Sequence, residues 1–246
     1  MKSTIIVVGA SGGIGNKVAE LLSKDFNVVG TFYKHPERMQ NLISKGIKSK
    51  LLDLQNIKTI KDLFEEQDEN LFAIVNCAGV VEFENKVLEK DIEIWHKTIA
   101  VNLTGNYLLS KVFYSKLTHG GRFIMISSTD SYFGGTITTS YAVSKSGVNS
   151  LTKSLSLVLA DKQIRVNSIA PGWVITPMIK ENGEEFLKKV ADINPLKRNA
   201  YPEDVANLVI FLLSDQASYI NGQVISVEGG YTNQDPTLLI EEALPK

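Results

Sequence analysis

A disulfide needs two cysteines, and this 246-residue chain has one, Cys77, so no internal staple is possible. Cys77 lies in an apolar run, where a free cysteine reads as a small buried hydrophobe. Only three histidines occur, and none has metal-ligand spacing, so no metal is expected; His96 and His119 read as surface residues. An excess of either charge is also missing. The 26 Lys and Arg against 27 Asp and Glu are interspersed and leave a formal net charge of -1, which argues against a nucleic-acid-binding face. No apolar stretch reaches the roughly 18 residues of a membrane span. The chain enters a strand-like run almost at once, without the basic region and cleavage site of a signal peptide. The expectation is a soluble cytoplasmic protein with neither nucleic-acid nor membrane partners. No proline-rich linker, repeat or low-complexity tract divides residues 1–246, which read as a single domain able to bury about 70–75% of its unfolded surface.

What the chain does have is a succession of β-branched runs. The first, Ser3–Ser11, is followed by runs at 27–32, 46–52, 71–76, 122–127, 164–170 and 223–227. Unbroken apolar strands signal a sheet buried on both faces, hence a parallel one. Between them lie helix-period segments, with Ile14, Val18, Leu21 and Leu22 on one face of the first and Ile57, Ile60, Leu63 and Phe64 on one face of another. Repeated strand–helix–strand units imply right-handed crossovers and an α/β fold: a doubly wound, parallel, seven-stranded sheet with helices on both faces. The stretch from about 177 to 200 breaks the rhythm. It is expected at the carboxyl ends of the strands, where such sheets bind ligands, and reads as a substrate lid.

Gly9-Ala10-Ser11-Gly12-Gly13-Ile14-Gly15 closes the first strand and opens the first helix. A dinucleotide pyrophosphate docks at that junction, because glycines permit the tight turn and the helix start offers N–H groups and a positive dipole end. No Gly-Lys-Ser/Thr follows, so a triphosphate P-loop is disfavoured. A fold that binds NAD carries an acid at the end of the second strand, for the ribose 2′-hydroxyl. Here that strand ends Gly30-Thr31-Phe32-Tyr33-Lys34-His35, with no carboxylate before Glu37. Lys34 and His35 suit a 2′-phosphate instead, which favours NADP(H) over NAD(H).

Ser127–Lys145 follows the fifth strand and runs into a helix. Tyr141 and Lys145, four apart, share one helix face. A cation about 4 Å from a phenol is worth roughly 4 kcal/mol at an effective dielectric near 20, on the order of three pKa units. The expectation is a tyrosine lowered into the range of a useful general acid–base group. Ser128, at the end of the fifth strand, is placed to bond a substrate carbonyl oxygen, whereas alternation turns Ser127 the other way. Tyr132 and Trp173 are candidate pocket walls, with simple packing as the alternative.

Together these features resemble the short-chain dehydrogenase/reductase family across nearly the whole chain, with its Rossmann-type fold. The family's glycine loop matches Gly9, Gly13 and Gly15, with Val8 in place of Thr; its Asn-Asn-Ala-Gly appears as Asn76-Cys77-Ala78-Gly79. The resemblance implies that Asn102, Ser128, Tyr141 and Lys145 are catalytic, with Asn102 holding a proton-relay water or, alternatively, making an interhelical hydrogen bond. It implies cofactor contacts from Ser11, Gly12, Ile14, Tyr33, Lys34, Asn76, Ala78, Gly79, Tyr141 and Lys145, from Asp53 and Leu54 beside the adenine, from Pro171 and Gly172, and from Val174 and Thr176 at the carboxamide. The implied reaction is hydride transfer between NADP(H) and a ketone/secondary-alcohol pair. 3-Oxoacyl-carrier-protein reductases are the nearest pattern; sugar, polyol or secondary-metabolite ketones are alternatives, and a non-catalytic nucleotide-binding sensor is the reading outside enzymology. A carrier-protein-bound substrate and a homotetramer or homodimer also follow from the resemblance. The tail beyond Gly230, with Leu238, Leu239 and Ile240, is expected to cover a neighbouring subunit or the pocket, or else to fray.

Overall fold

Ile5 and Val7 bury themselves in one hydrophobic core, while Ile6 and Val8 of the same strand enter another. Strand alternation thus sends one apolar run to both faces of the sheet. The structure, a computed structural model of the chain, describes residues 2–66, 71–84, 88–117, 119–180 and 182–234. In chain order its elements are β1 (Thr4–Val8), α1 (Gly13–Leu22), β2 (Asn27–Phe32), α2 (Gln40–Ser44), β3 (Lys48–Leu51), α3 (Ile57–Glu65), β4 (Leu71–Asn76), α4 (Leu88–Ile99), α5 (Gly105–Lys116), β5 (Gly121–Ile126), α6 (Thr139–Val158), β6 (Ile164–Pro171), α7 (Pro177–Lys180), α8 (Glu184–Ile193), α9 (Pro202–Leu213) and β7 (Val224–Val227). A π-helical turn, Ala100–Thr104, joins α4 to α5.

The seven strands are all parallel, in the order β3-β2-β1-β4-β5-β6-β7. From β1 the chain winds outward to β3, then returns to pair β4 with β1 and winds the other way. Loops after β1 and β4 therefore diverge and open a crevice at the carboxyl edge. Helices α1 and α9 cover one face through Val18, Leu22, Val209 and Leu212; α3, α5 and α6 cover the other through Phe64, Phe113 and Leu155. Within the expected insertion lie α7 and α8. Its far end returns as an isolated bridge between Val174 and Ala200. Trp173 meets Phe186 of α8 edge-on, with ring centroids 5.0 Å apart. Leu238, Leu239 and Ile240 fall outside the described residues.

Candidate active site

The glycine turn is shaped by close backbone approach. Gly9 has φ +77°, and a Cβ there would sit 2.8 Å from the backbone of Ala78, so only glycine lets the loops after β1 and β4 meet. Its N–H donates to Thr31 Oγ1 at 3.1 Å, tying the turn to β2. At Gly13 a Cβ would lie 2.7 Å from the Thr176 methyl, so glycine also admits the loop after β6. Helix α1 starts with no side-chain cap and no acid in its first turn. Its free N–H groups and positive dipole end suit an anion.

A cleft of about 580 Å³ opens here, within the usual range for small-molecule sites. Of the residues nominated from sequence, Gly9, Ser11, Gly12, Gly13, Ile14, Gly15, Tyr33, Lys34, Asp53, Leu54, Ala78, Gly79, Ser128, Tyr141, Lys145, Pro171, Gly172, Val174 and Thr176 all line it. Asn76 and Asn102 are placed otherwise. Asn76 is buried; its amide donates to Asn106 Oδ1 (2.8 Å) and its Oδ1 accepts the Ala78 N–H (3.0 Å), so it braces the turn instead of touching the cleft. Asn102 sits in the π-turn, fully buried. Its Nδ2 donates to Val80 O (2.9 Å) and Ser144 Oγ (3.1 Å), and its Oδ1 accepts the Val80 N–H (2.8 Å). A Cβ on Gly79 would be 3.4 Å from both Asn102 Oδ1 and Lys145 Nζ, so both groups lie against that glycine.

Two cations on the cleft wall escaped the sequence reading, Arg38 and Lys97. Arg38 belongs to a 3-10 turn, Pro36–Met39, drawn toward α1 by a bond from Asn16 Nδ2 to Arg38 O (3.5 Å). Among the described residues its guanidinium pairs with Glu37, at 3.9 Å. Lys97 pairs with Glu82. Distance along the chain does not reveal either, though a count of basic residues past the end of β2 would have flagged Arg38. His35 also lines the cleft, with its Nδ1 3.0 Å from Glu37 Oε1. Tyr132 and Trp173 do not line it: the Tyr132 hydroxyl is 3.2 Å from Ser226 Oγ, and Trp173 packs on Phe186.

Ser128, Tyr141 and Lys145 converge at one end. Ser128 caps the 3-10 turn Thr129–Tyr132, its Oγ accepting the Asp130 N–H at 3.1 Å. Ser127, expected to turn the other way, also lines the cleft, with its hydroxyl donating to Asn149 Oδ1 at 2.6 Å. Lys145 is 3% exposed, and its Nζ donates to Ile126 O at 2.7 Å while lying 5.5 Å from the Tyr141 ring centroid. The electrostatics correct the sequence expectation. Burial pushes the Tyr141 phenol up to about 12; the Ser128 hydroxyl favours the phenolate and the Asp130 charge opposes it. Burial lowers Lys145 to about 8. In both groups the cost of removing the charged form from water is the largest effect. Burial also pushes the Cys77 thiol to about 12, so it is neutral and unreactive at neutral pH.

Comparison with known proteins agrees with this arrangement. A family model described as enoyl-(acyl carrier protein) reductase matches residues 9–232. The 3-oxoacyl-(acyl-carrier-protein) reductase FabG of Rickettsia felis is 35% identical over 232 residues, covering 92% of this chain and 95% of that protein. The chain belongs to the short-chain dehydrogenase/reductase family. Glucose 1-dehydrogenase 2 of Bacillus subtilis, 32% identical over 243 residues, covers 93% of this chain and 94% of its own length. Among solved structures, a variant of actinorhodin polyketide ketoreductase with NADPH superposes with a TM-score of 0.86 at 27% identity, covering 95% of this chain and 98% of that one. As a short-chain dehydrogenase/reductase, the chain is an enzyme, an oxidoreductase that uses a nicotinamide cofactor.

Proposed function

We propose that this short-chain dehydrogenase/reductase reduces a ketone to a secondary alcohol with NADPH, the ketone being a 3-oxoacyl group held as a thioester on a carrier protein. The observation that carries the reading is the meeting of Ser128, Tyr141 and Lys145 in the cleft that the glycine turn opens. The residues present fit a dinucleotide: the uncapped start of α1 suits the pyrophosphate, and Asp53 with Leu54 lies at the far end, beside Val101. Lys34 and Arg38 supply positive charge where a 2′-phosphate would lie, and Glu37 is not among the lining residues. Arg38 adds the planar fork that a lysine lacks. When bound, NADPH supplies the hydride. Ser128 orients and polarises the carbonyl. Tyr141, a phenol held near 12, stays protonated at neutral pH, which is the state a ketone reductase needs of its acid. The Lys145 ammonium beside the ring stabilises the phenolate as the proton leaves. Asn102 holds the loop that carries Val80, and through Ser144 it is tied to α6.

Relatives that act on acyl carriers support the thioester substrate. Half-exposed Tyr107 on α5 and Val143 on α6 offer apolar surface for pairing into a dimer or tetramer. No helix among the described residues is long and apolar enough to cross a membrane.

The test is NADPH consumption with 3-oxoacyl thioesters, enoyl thioesters, sugars and aromatic ketones, beside binding of NADPH and NADH. The expected outcome is turnover of the 3-oxoacyl thioesters, tighter binding of NADPH, and a Tyr141→Phe variant that binds NADPH normally but loses about 10²–10⁴ in kcat. Tight cofactor binding with no turnover of any ketone would favour a sensor, and turnover of enoyl substrates alone would replace the carbonyl chemistry.

A further inference from the structure

Lys145 is buried, and a buried ammonium needs a partner of opposite charge or it gives up its proton. The candidates around it are few. Cys77, from the end of β4, is a neutral thiol. Tyr141, on the same helix, is a neutral phenol. Glu84 uses both carboxylate oxygens on the Thr139 and Ser140 N–H groups at the start of α6, and Glu82 pairs with Lys97. Asp130 remains.

Asp130 stands two residues beyond Ser128, in a turn pinned onto α6. Ser146 Oγ donates to Ser131 O at 2.9 Å, Asn149 Nδ2 donates to Ser131 Oγ at 2.7 Å, and Ser131 Oγ donates to Ser128 O at 2.5 Å. Asp130's own N–H is held by Ser128 Oγ. These bonds hold the turn that carries Asp130 against the half of α6 that bears Tyr141 and Lys145, and its charge acts on both. No group among the described residues donates a hydrogen bond to that carboxylate. Burial raises the Asp130 carboxyl above the usual carboxylate range, and the Lys145 ammonium opposes that rise.

We propose that Asp130 is a positioning residue of the reaction, the counter-ion of the Lys145 ammonium, and that it tilts turnover at neutral pH toward ketone reduction over alcohol oxidation. The proposal rests on the reading of the chain as an NADPH-dependent ketone reductase. A negative charge beside the pair favours the ammonium and the phenol over the amine and the phenolate. Reduction begins from the phenol, and oxidation begins from the phenolate.

The experiment is the pH profile of kcat in both directions for the wild type, D130N and D130E, with NADPH binding and melting temperature as controls. Asp130→Asn should move the basic limb of reduction and the acidic limb of oxidation to lower pH by on the order of one unit. Its kcat for oxidation at pH 7 should rise several-fold, with NADPH affinity unchanged. Asp130→Glu should keep the wild-type limbs. Superimposed D130N and wild-type profiles, or limbs moved to higher pH, would overturn the proposal. Should D130N fail to fold, D130S carries the same comparison, and failure of both would mark Asp130 as structural and overturn it too. A wild type inactive toward every ketone sinks the reductase reading itself, whereas an active wild type with an unaltered D130N sinks only the role of Asp130.

Discussion

Lys145 carries a cost that depends on pH. Unfolded, it titrates near 10.5; folded, burial brings it to about 8. Between those values the unfolded chain holds a proton that the folded chain does not, so this group's contribution to stability improves as pH rises from about 8 to 10.5. Below 8 the fold bears the full penalty of a buried ammonium. The melting temperature of Lys145→Met relative to the wild type is therefore expected to fall as pH rises from about 8 to 10, while kcat falls by at least about 10². Melting curves across that range check it, and a melting difference that does not change between about pH 8 and 10 would contradict it. The meeting of Ser128, Tyr141 and Lys145 in one cleft was legible because they sit at short, fixed offsets around one strand end and one helix start. Its electrostatics were not. Spacing reports that a lysine is near a tyrosine, but the sign of the tyrosine's shift depends on how much water the fold removes, and that is set by side chains far apart in the chain.

At the scale of elements, α6 is capped from outside itself. Its own N-cap residue, Thr138, makes no side-chain bond to the helix. Glu84, from the loop after β4, accepts the Thr139 N–H at 2.8 Å and the Ser140 N–H at 2.7 Å, and its own N–H donates to Ile137 O at 2.9 Å. The start of the helix that bears Tyr141 is thus anchored to the same loop that Asn102 grips at Val80. Glu84→Gln keeps the shape but loses the charge and one acceptor. It should cost about 1 kcal/mol of stability and lower kcat by roughly tenfold through misplacement of Tyr141, with NADPH affinity unchanged; unfolding curves and single-turnover kinetics would measure the two effects. An unchanged kcat would confine Glu84 to a structural role. Glu84 was invisible in the sequence because a cap 55 residues away is a tertiary contact, and no local pattern marks it. The strands, by contrast, were readable almost to the residue, since burial on both faces leaves an unbroken β-branched run. β3 was the looser case, expected over 46–52 and formed by Lys48–Leu51, because an edge strand with exposed lysine positions carries less of that signal.

At the scale of the molecule, a deeply buried sheet carries a less deeply buried helix, α8, beyond β6. The carboxyl edge carries every cleft-lining loop, while α8, with Val190 as its only buried residue, lies over the loop after β6. The Trp173–Phe186 contact joins the two, and an edge-to-face pair is worth about 0.5–1.5 kcal/mol. Phe186→Ala is expected to raise KM for the ketone about three- to tenfold and to leave NADPH binding unchanged, measured by steady-state kinetics and calorimetric titration. Equal weakening of both ligands would mean that α8 serves the whole cleft and is not a substrate lid.

The reciprocal bonds between Asn102 and Val80 have one more effect. A loop that already gives and receives hydrogen bonds at its first residue past Gly79 has little freedom left to lose when a ligand arrives. Association at that end of the crevice should meet almost no ordering penalty. Conformational adjustment on binding then falls to the segment beyond β6, so the two walls of the crevice would respond unequally, one as a template and the other as a hinge.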